Sequence, residues 1–176
     1  MSLGSRNLTE PSPLDLTWLV DYGLAAAKIA VYAVPEAELP TAEAETRAGP
    51  GGWLDIWLRA AFYDSLFERN HRTLRARSTL AHEIGHAVLH PREVKLGQEA
   101  PEALSLQRAA RQSLPAFRDS EWQAHTFAAA ILVPLTTLRT LDGRDPSRLA
   151  DVYDVSVPLV ASHLRRCREL LPSQGP

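Results

Sequence analysis

The chain has a single cysteine, Cys167, among 176 residues. An intramolecular disulfide is therefore impossible, and a zinc site built from several thiolates is excluded. Any zinc here must be held by histidine and carboxylate. Lysine is nearly as scarce: Lys28 and Lys95 are the only two, and arginine carries the remaining positive charge. The formal net charge is −2, so no global basic field points to nucleic acid. Long apolar runs are missing too. The longest, residues 127–135, is far too short to span a membrane. The opening MSLGSRNLTEPSP lacks the apolar core of a secretory leader and reads as a disordered lead-in over residues 1–12. A cytoplasmic protein is the expectation.

What is present is an ordinary globular composition. Hydrophobic residues make up 45% and charged residues 23%, enough to bury a core. The length fits one domain with a small appendage. Residues 13–27 place Leu14, Leu16, Leu19, Val20 and Leu24 at helical spacing, with Gly23 near the end. Residues 28–34, KIAVYAV, are β-branched and aromatic and stop at Pro35, which predicts a strand. An acidic, then Gly/Pro-rich stretch over 36–52 predicts a surface loop or a short edge hairpin. Residues 53–58, WLDIWL, alternate Leu54, Ile56 and Leu58 against Trp53, Asp55 and Trp57 and predict a second strand. Residues 60–67 fit either a helix or a continued strand. The arginine-rich run 69–77 reads as a solvated loop in preference to a basic lip on a cleft.

The most informative stretch is 78–90, STLAHEIGHAVLH. His82-Glu83-Ile84-Gly85-His86 spells H-E-x-x-H. On a helix, residues i and i+4 share a face one turn apart, so two imidazoles can reach one cation at ~2.0–2.1 Å each. Glu83, next to the first histidine, can serve as a base toward a water activated by that cation. The competing reading is a buried helix whose histidines bond to backbone. Ser78 or Thr79 is the expected N-cap, and Pro91 is the expected stop. Gly85 costs about 1 kcal/mol in a helix interior and fits where another backbone or a substrate strand must come close. His90 continues the i, i+4 series. It would lie about 12 Å along the axis from His82, too far to share one ion, so it is read as a supporting or packing residue.

Residues 93–117 are polar, with a helix expected over 99–112 and the segment read as a flap. Residues 119–134, DSEWQAHTFAAAILVP, predict a helix capped by Asp119 or Ser120, closely packed through Ala124, Ala128 and Ala129, and ended by Pro134. Glu121 sits in its first turn, where the helix dipole favours an ionised carboxylate. It is a candidate third ligand, thirty-five positions after His86. Taken alone, a Glu that merely complements the dipole is the better reading. After a turn-rich break at 141–146, residues 146–152 and 157–171 predict two helices about a turn at 154–156, the second capped by Ser156. This resembles a helix-turn-helix. However, from Arg139 onward six arginines meet five acidic residues, which is poor for phosphate neutralisation. A scaffold or partner surface is preferred to a DNA reader. His163, far from both motifs, is read as surface or core.

With His82-Glu83-x-x-His86 and Glu121-x-x-Ala124-x-x-Phe127-Ala128 both in view, the chain resembles the ImmA/IrrE family of metallopeptidases. Arg77-x-Thr79-x-Ala81, Leu89-His90, Leu132-Val-Pro134 and Leu149-Ala150…Val155-Ser156 fit the same pattern. The resemblance implies an α+β fold: a compact zincin-like domain over 13–140, with a small sheet beside the H-E-x-x-H helix. A helix pair over 141–176 would pack on it. It also implies His82, His86 and Glu121 as metal ligands, Glu83 as general base, and Zn2+ as cofactor, with Mn2+ or Fe2+ able to take the same site. The implied partner is a protein substrate, a helix-turn-helix repressor, with neither membrane nor direct nucleic-acid binding. His125 departs from the Asn or Asp usual in the family. Tyr63, His71, His125 and Tyr153 are the candidates to stabilise an oxyanion. The rival reading is a metal-stabilised binding module that partners a repressor or antitoxin without turnover; a base beside the first ligand argues against it.

Overall fold

In the computed structural model, residues 11–68, 71–99, 119–139 and 145–171 are described, with 71 and 72 by backbone alone. Residues Asp15–Ala128 form one compact unit, and the chain from Ala129 onward forms most of a second.

The first unit opens with helical turns rather than one regular helix: α1, Leu16–Trp18, passes into a wider turn over Leu19–Gly23 and a tight one over Ala25–Ala27. Leu16 and Leu24 are its buried anchors. Lys28 then takes a left-handed conformation (φ 57°) that turns the chain into β1, Ile29–Val34. Strand β2 is Ala44–Ala48 and β3 is Leu54–Arg59. They form a sheet of order β1-β3-β2, with β1 parallel and β2 antiparallel to the central β3. Both expected strands are present, and of the two readings for 36–52 the edge hairpin is the one observed. Gly51 and Gly52, at φ 64° and 82°, make the turn from β2 into β3, conformations an L side chain rarely adopts.

Leu54, Ile56 and Leu58 of β3 are buried, on the face that meets the motif helix α3, His71–Leu89. Between them and α3, the short α2, Ala60–Ser65, settles the open segment as helix. Helix α3 contributes Ala76, Leu80, Ala81, Ile84 and Ala87 to the same core. This overturns two expectations. The helix starts at His71, so Ser78 and Thr79 are interior residues and not N-caps. The Ser78 hydroxyl donates back to the carbonyl of Leu74 at 2.9 Å, satisfying itself within the helix. The arginine-rich run is likewise helical from His71 onward rather than a solvated loop. Arg77 is buried at 7% exposure, and Arg75 Nε donates to Glu43 Oε2 at 3.0 Å. An arginine stem covers apolar surface as its head finds partners, so a buried helical face can read as charged.

Pro91 does not only stop α3. It also opens α4, Pro91–Glu99, because the N–H that proline lacks is unneeded in a first helical turn. The helix expected over 99–112 and the flap reading lie outside the described residues, as does most of the expected lead-in. Helix α5, Ser120–Leu132, matches its expected span. The Asp119 carboxylate accepts the Glu121 backbone N–H at 3.1 Å, an N-terminal cap.

In the second unit, α6 is Leu135–Leu138, α7 Pro146–Tyr153 and α8 Val157–Arg166. Asp145 caps α7 by accepting from the N–H groups of Ser147 and Arg148, Asp154 (φ 51°) closes it, and Ser156 caps α8. Leu132, Val133, Leu138, Leu149, Tyr153, Val155 and Val160 make its core. His163 is a core residue, 1% exposed, with Nε2 at 3.0 Å from the Val133 carbonyl oxygen. Burial pushes its imidazole below the ordinary value, so it stays neutral and fits its apolar surroundings. The whole is an α+β protein with a small sheet beside the H-E-x-x-H helix, consistent with a compact zincin-like domain.

Candidate metal centre

Two helices build the site. On α3, His82 and His86 lie one turn apart, and their side chains are 16% and 15% exposed. Glu121 rises from the first turn of α5 and is 56% exposed. The helices approach closely because Gly85 lies between the two histidines. A Cβ there would sit 3.0 Å from Ala124 Cα and 3.1 Å from the Ala124 carbonyl oxygen. Of the two readings of this glycine, the close approach of another backbone is the one observed. Gly85→Ala gains about 1 kcal/mol of helix propensity but forces backbone apart, which costs about 1–3 kcal/mol. We expect a net loss of stability, read as a lower urea midpoint; a raised midpoint would show that α5 can back away freely.

The donor atoms converge. His82 Nε2 lies 3.0 Å from His86 Nε2. Glu121 turns one oxygen to each ring, Oε2 at 3.3 Å from His82 Nε2 and Oε1 at 3.5 Å from His86 Nε2. Among the described residues this is the group of three whose ligand atoms all lie within 4.8 Å of one another. A cation bound tetrahedrally at ~2.0–2.1 Å spaces its donors about 3.3–3.4 Å apart, and the three observed separations bracket that value. Two imidazole nitrogens this close need a proton or a cation between them, because facing lone pairs repel. Two neutral nitrogens and a carboxylate oxygen are a donor set suited to zinc. The residues present fit a divalent metal.

Electrostatics point the same way. Hydrogen bonds from His82 and then His86 hold the Glu121 carboxyl well below the usual carboxylate range, against the opposing effect of burial. Burial alone would lower His86, but the Glu121 hydrogen bond and the charges of Glu121, Glu83 and Glu93 outweigh it and raise the imidazole above its ordinary value. In metal-free protein the depressed Glu121 contributes stability above the ordinary carboxylate range, lost as pH falls through its folded value. The raised His86 contributes stability below the ordinary imidazole value, lost as pH rises through its folded value. Both contributions coexist between about pH 5 and 6.5. The chelated protein should therefore melt highest in that window, and Glu121→Gln should flatten the alkaline limb. An unchanged limb in that variant would contradict the pairing.

Glu83 is on the same helix, half-buried, and the Thr46 hydroxyl of β2 donates to its Oε2 at 2.7 Å. Sequence reasoning missed Thr46. The signal was there: in AETRA it is a polar residue flanked at i±2 by alanines on an otherwise apolar strand face. His90 is buried with its ring 5.7 Å from that of His86 and lies outside the three-residue group, as the helical rise requires. Of the four candidates for oxyanion stabilisation, only His125 is seen beside the site, its ring tilted against His82 at 4.3 Å. Tyr153 is fully buried with its hydroxyl on Thr137, Tyr63 packs on Phe67, and the His71 side chain is outside the described residues.

A family model described as Peptidase_M78, the IrrE N-terminal-like domain, matches residues 66–165. The chain belongs to this family. No curated protein and no solved structure matches. The span matched to the IrrE N-terminal-like domain includes both histidines of the motif, Glu83, Glu121, α7 and all but the last residue of α8. It makes this chain a member of a metallopeptidase family, and the chain carries a His-His-Glu group positioned for a metal.

Proposed function

We propose that the protein is a zinc-dependent endopeptidase of the cytoplasm that cuts a helix-turn-helix repressor and so relieves repression. His82, His86 and Glu121 are its metal ligands and Glu83 its general base. The observation that carries this reading is the convergence of donor atoms of three residues from two helices, 3.0–3.5 Å apart, with a carboxylic residue adjacent to the first ligand.

A bound divalent cation supplies Lewis acidity, polarising a peptide carbonyl and easing the deprotonation of water. Glu83 takes the proton from the attacking water and passes it to the departing amine, one carboxylate serving both steps. Thr46 holds one of its oxygens, leaving the other for the proton. Among the described residues, β2 is one of the two edge strands of the sheet. Its hydrogen-bonded pairs with β3 include Glu43–Arg59 and Gly49–Trp53, so the alternating residues Ala44, Thr46 and Ala48 turn their backbone groups away from β3. Gln98 of α4 takes the Ala48 N–H at 2.8 Å. An extended peptide pairing with Ala44 and Thr46 would run past Glu83, a recognition mode that reads main chain first and side chains second.

No helix among the described residues is long and apolar enough to cross a membrane. The test is to incubate zinc-loaded protein with a purified helix-turn-helix repressor from the same genome and follow fragments by mass spectrometry. Chelator-sensitive cleavage at one position is expected. A repressor that is bound but left intact would favour the binding-module alternative.

A further inference from the structure

Strand β2 turns three side chains toward α3: Ala44, Thr46 and Ala48, opposite Leu58, Ile56 and Leu54. Thr46 is the only polar one. The flanking alanines are small, so its hydroxyl can reach the helix. Thr46 Oγ1 lies 2.7 Å from Glu83 Oε2 and 3.1 Å from the Glu83 backbone carbonyl oxygen. One hydroxyl therefore contacts both the tip and the root of the same side chain.

We propose that Thr46 is a positioning residue for Glu83, an inference that rests on the endopeptidase reading above. A glutamate has three rotatable bonds, and a general base must be held within a fraction of an ångström of its proton. The contact to the carboxylate is charge-assisted and hence among the stronger hydrogen bonds. It fixes which oxygen faces the sheet and which is left for the proton. Because the tether comes from the edge strand, it also couples the base to the strand along which an extended substrate would lie. The Thr46 hydroxyl bonds to Glu83 and to neither histidine nor Glu121, so it acts through Glu83 and not through the metal.

The test uses acetohydroxamate, a zinc chelator whose proton is shared with a neighbouring carboxylate, as a probe that needs no known substrate. Its affinity is measured on the zinc-loaded full chain for wild type, Thr46→Val, Thr46→Ser, Glu83→Gln and the double variant Thr46→Val/Glu83→Gln. Zinc content and melting temperature are recorded for each, which separates misfolding from mispositioning. We expect Thr46→Val to bind the hydroxamate about tenfold more weakly at unchanged zinc content. Thr46→Ser should restore wild-type binding, and the double variant should be no weaker than Glu83→Gln alone. If Glu83→Gln weakens binding while Thr46→Val does not, or if the two losses add, the positioning role is overturned and the general-base reading stands. If Glu83→Gln binds as wild type does, the general-base reading itself fails, and this inference falls with it.

Discussion

Glu83→Gln should leave the protein folded and metal-loaded while lowering peptide hydrolysis by roughly 10²–10⁴-fold, the usual share of a positioned acid–base group. The amide keeps the shape of the side chain and can still accept the Thr46 hydroxyl through its oxygen, so the fold has no reason to change. It cannot take a proton from water at neutral pH. Glu83 is also absent from the converging donor group, which consists of His82, His86 and Glu121, so zinc content should stay at the wild-type level. Cleavage of the proposed repressor substrate and zinc per chain, measured on the same preparation, check both halves. Equal cleavage by wild type and variant would remove Glu83 from the chemistry, and a parallel loss of zinc would make it a ligand.

Glu121→Ala should do the opposite and act on the metal first. The carboxylate is the only anionic member of the group, and each of its oxygens faces one imidazole. If zinc binding worth ~10–16 kcal/mol is shared among the ligands, losing one costs several kcal/mol, or at least about 100-fold in affinity. Competition with a calibrated chelator reads this directly. The loss should leave the fold intact in excess zinc, because the Glu121 side chain is more than half exposed and the Asp119 cap of α5 uses the Glu121 backbone. Wild-type affinity in the variant would assign Glu121 to the helix dipole alone, the reading that its sequence position favours when taken by itself.

The difference between what could and could not be read from the sequence follows from the range of each signal. β1 is legible because it is rich in β-branched and aromatic residues and Pro35 ends the run, and β3 because Leu54, Ile56 and Leu58 alternate with Trp53, Asp55 and Trp57. The turn between α7 and α8 was legible because Ser156 and Pro158 are local punctuation. Strand β2 was legible only as one of two alternatives, since AETRA has alanine where a strand usually shows bulk. The start of α3 was hidden because its buried face includes Arg77, and a capping serine three turns from the C-terminal end was an equally good local start. Pro91 misled in a similar way, since one proline can end a helix and begin the next. At the site, His82 and His86 were legible from helical geometry alone. Glu121 needed the family pattern, because no local rule links residues thirty-five apart. Thr46 shows in the sequence only as a lone polar residue between alanines, and nothing local ties it to its partner Glu83, 37 positions away.

The central claim, that His82, His86 and Glu121 hold one divalent cation, is tested most directly by X-ray absorption at the zinc edge of the loaded protein. Two imidazole nitrogens and light oxygen donors are expected at about 2.0–2.1 Å, with one zinc per chain. A sulfur scatterer at about 2.3 Å, which could come only from Cys167 or Met1, or a shell with fewer than two imidazoles, would contradict it.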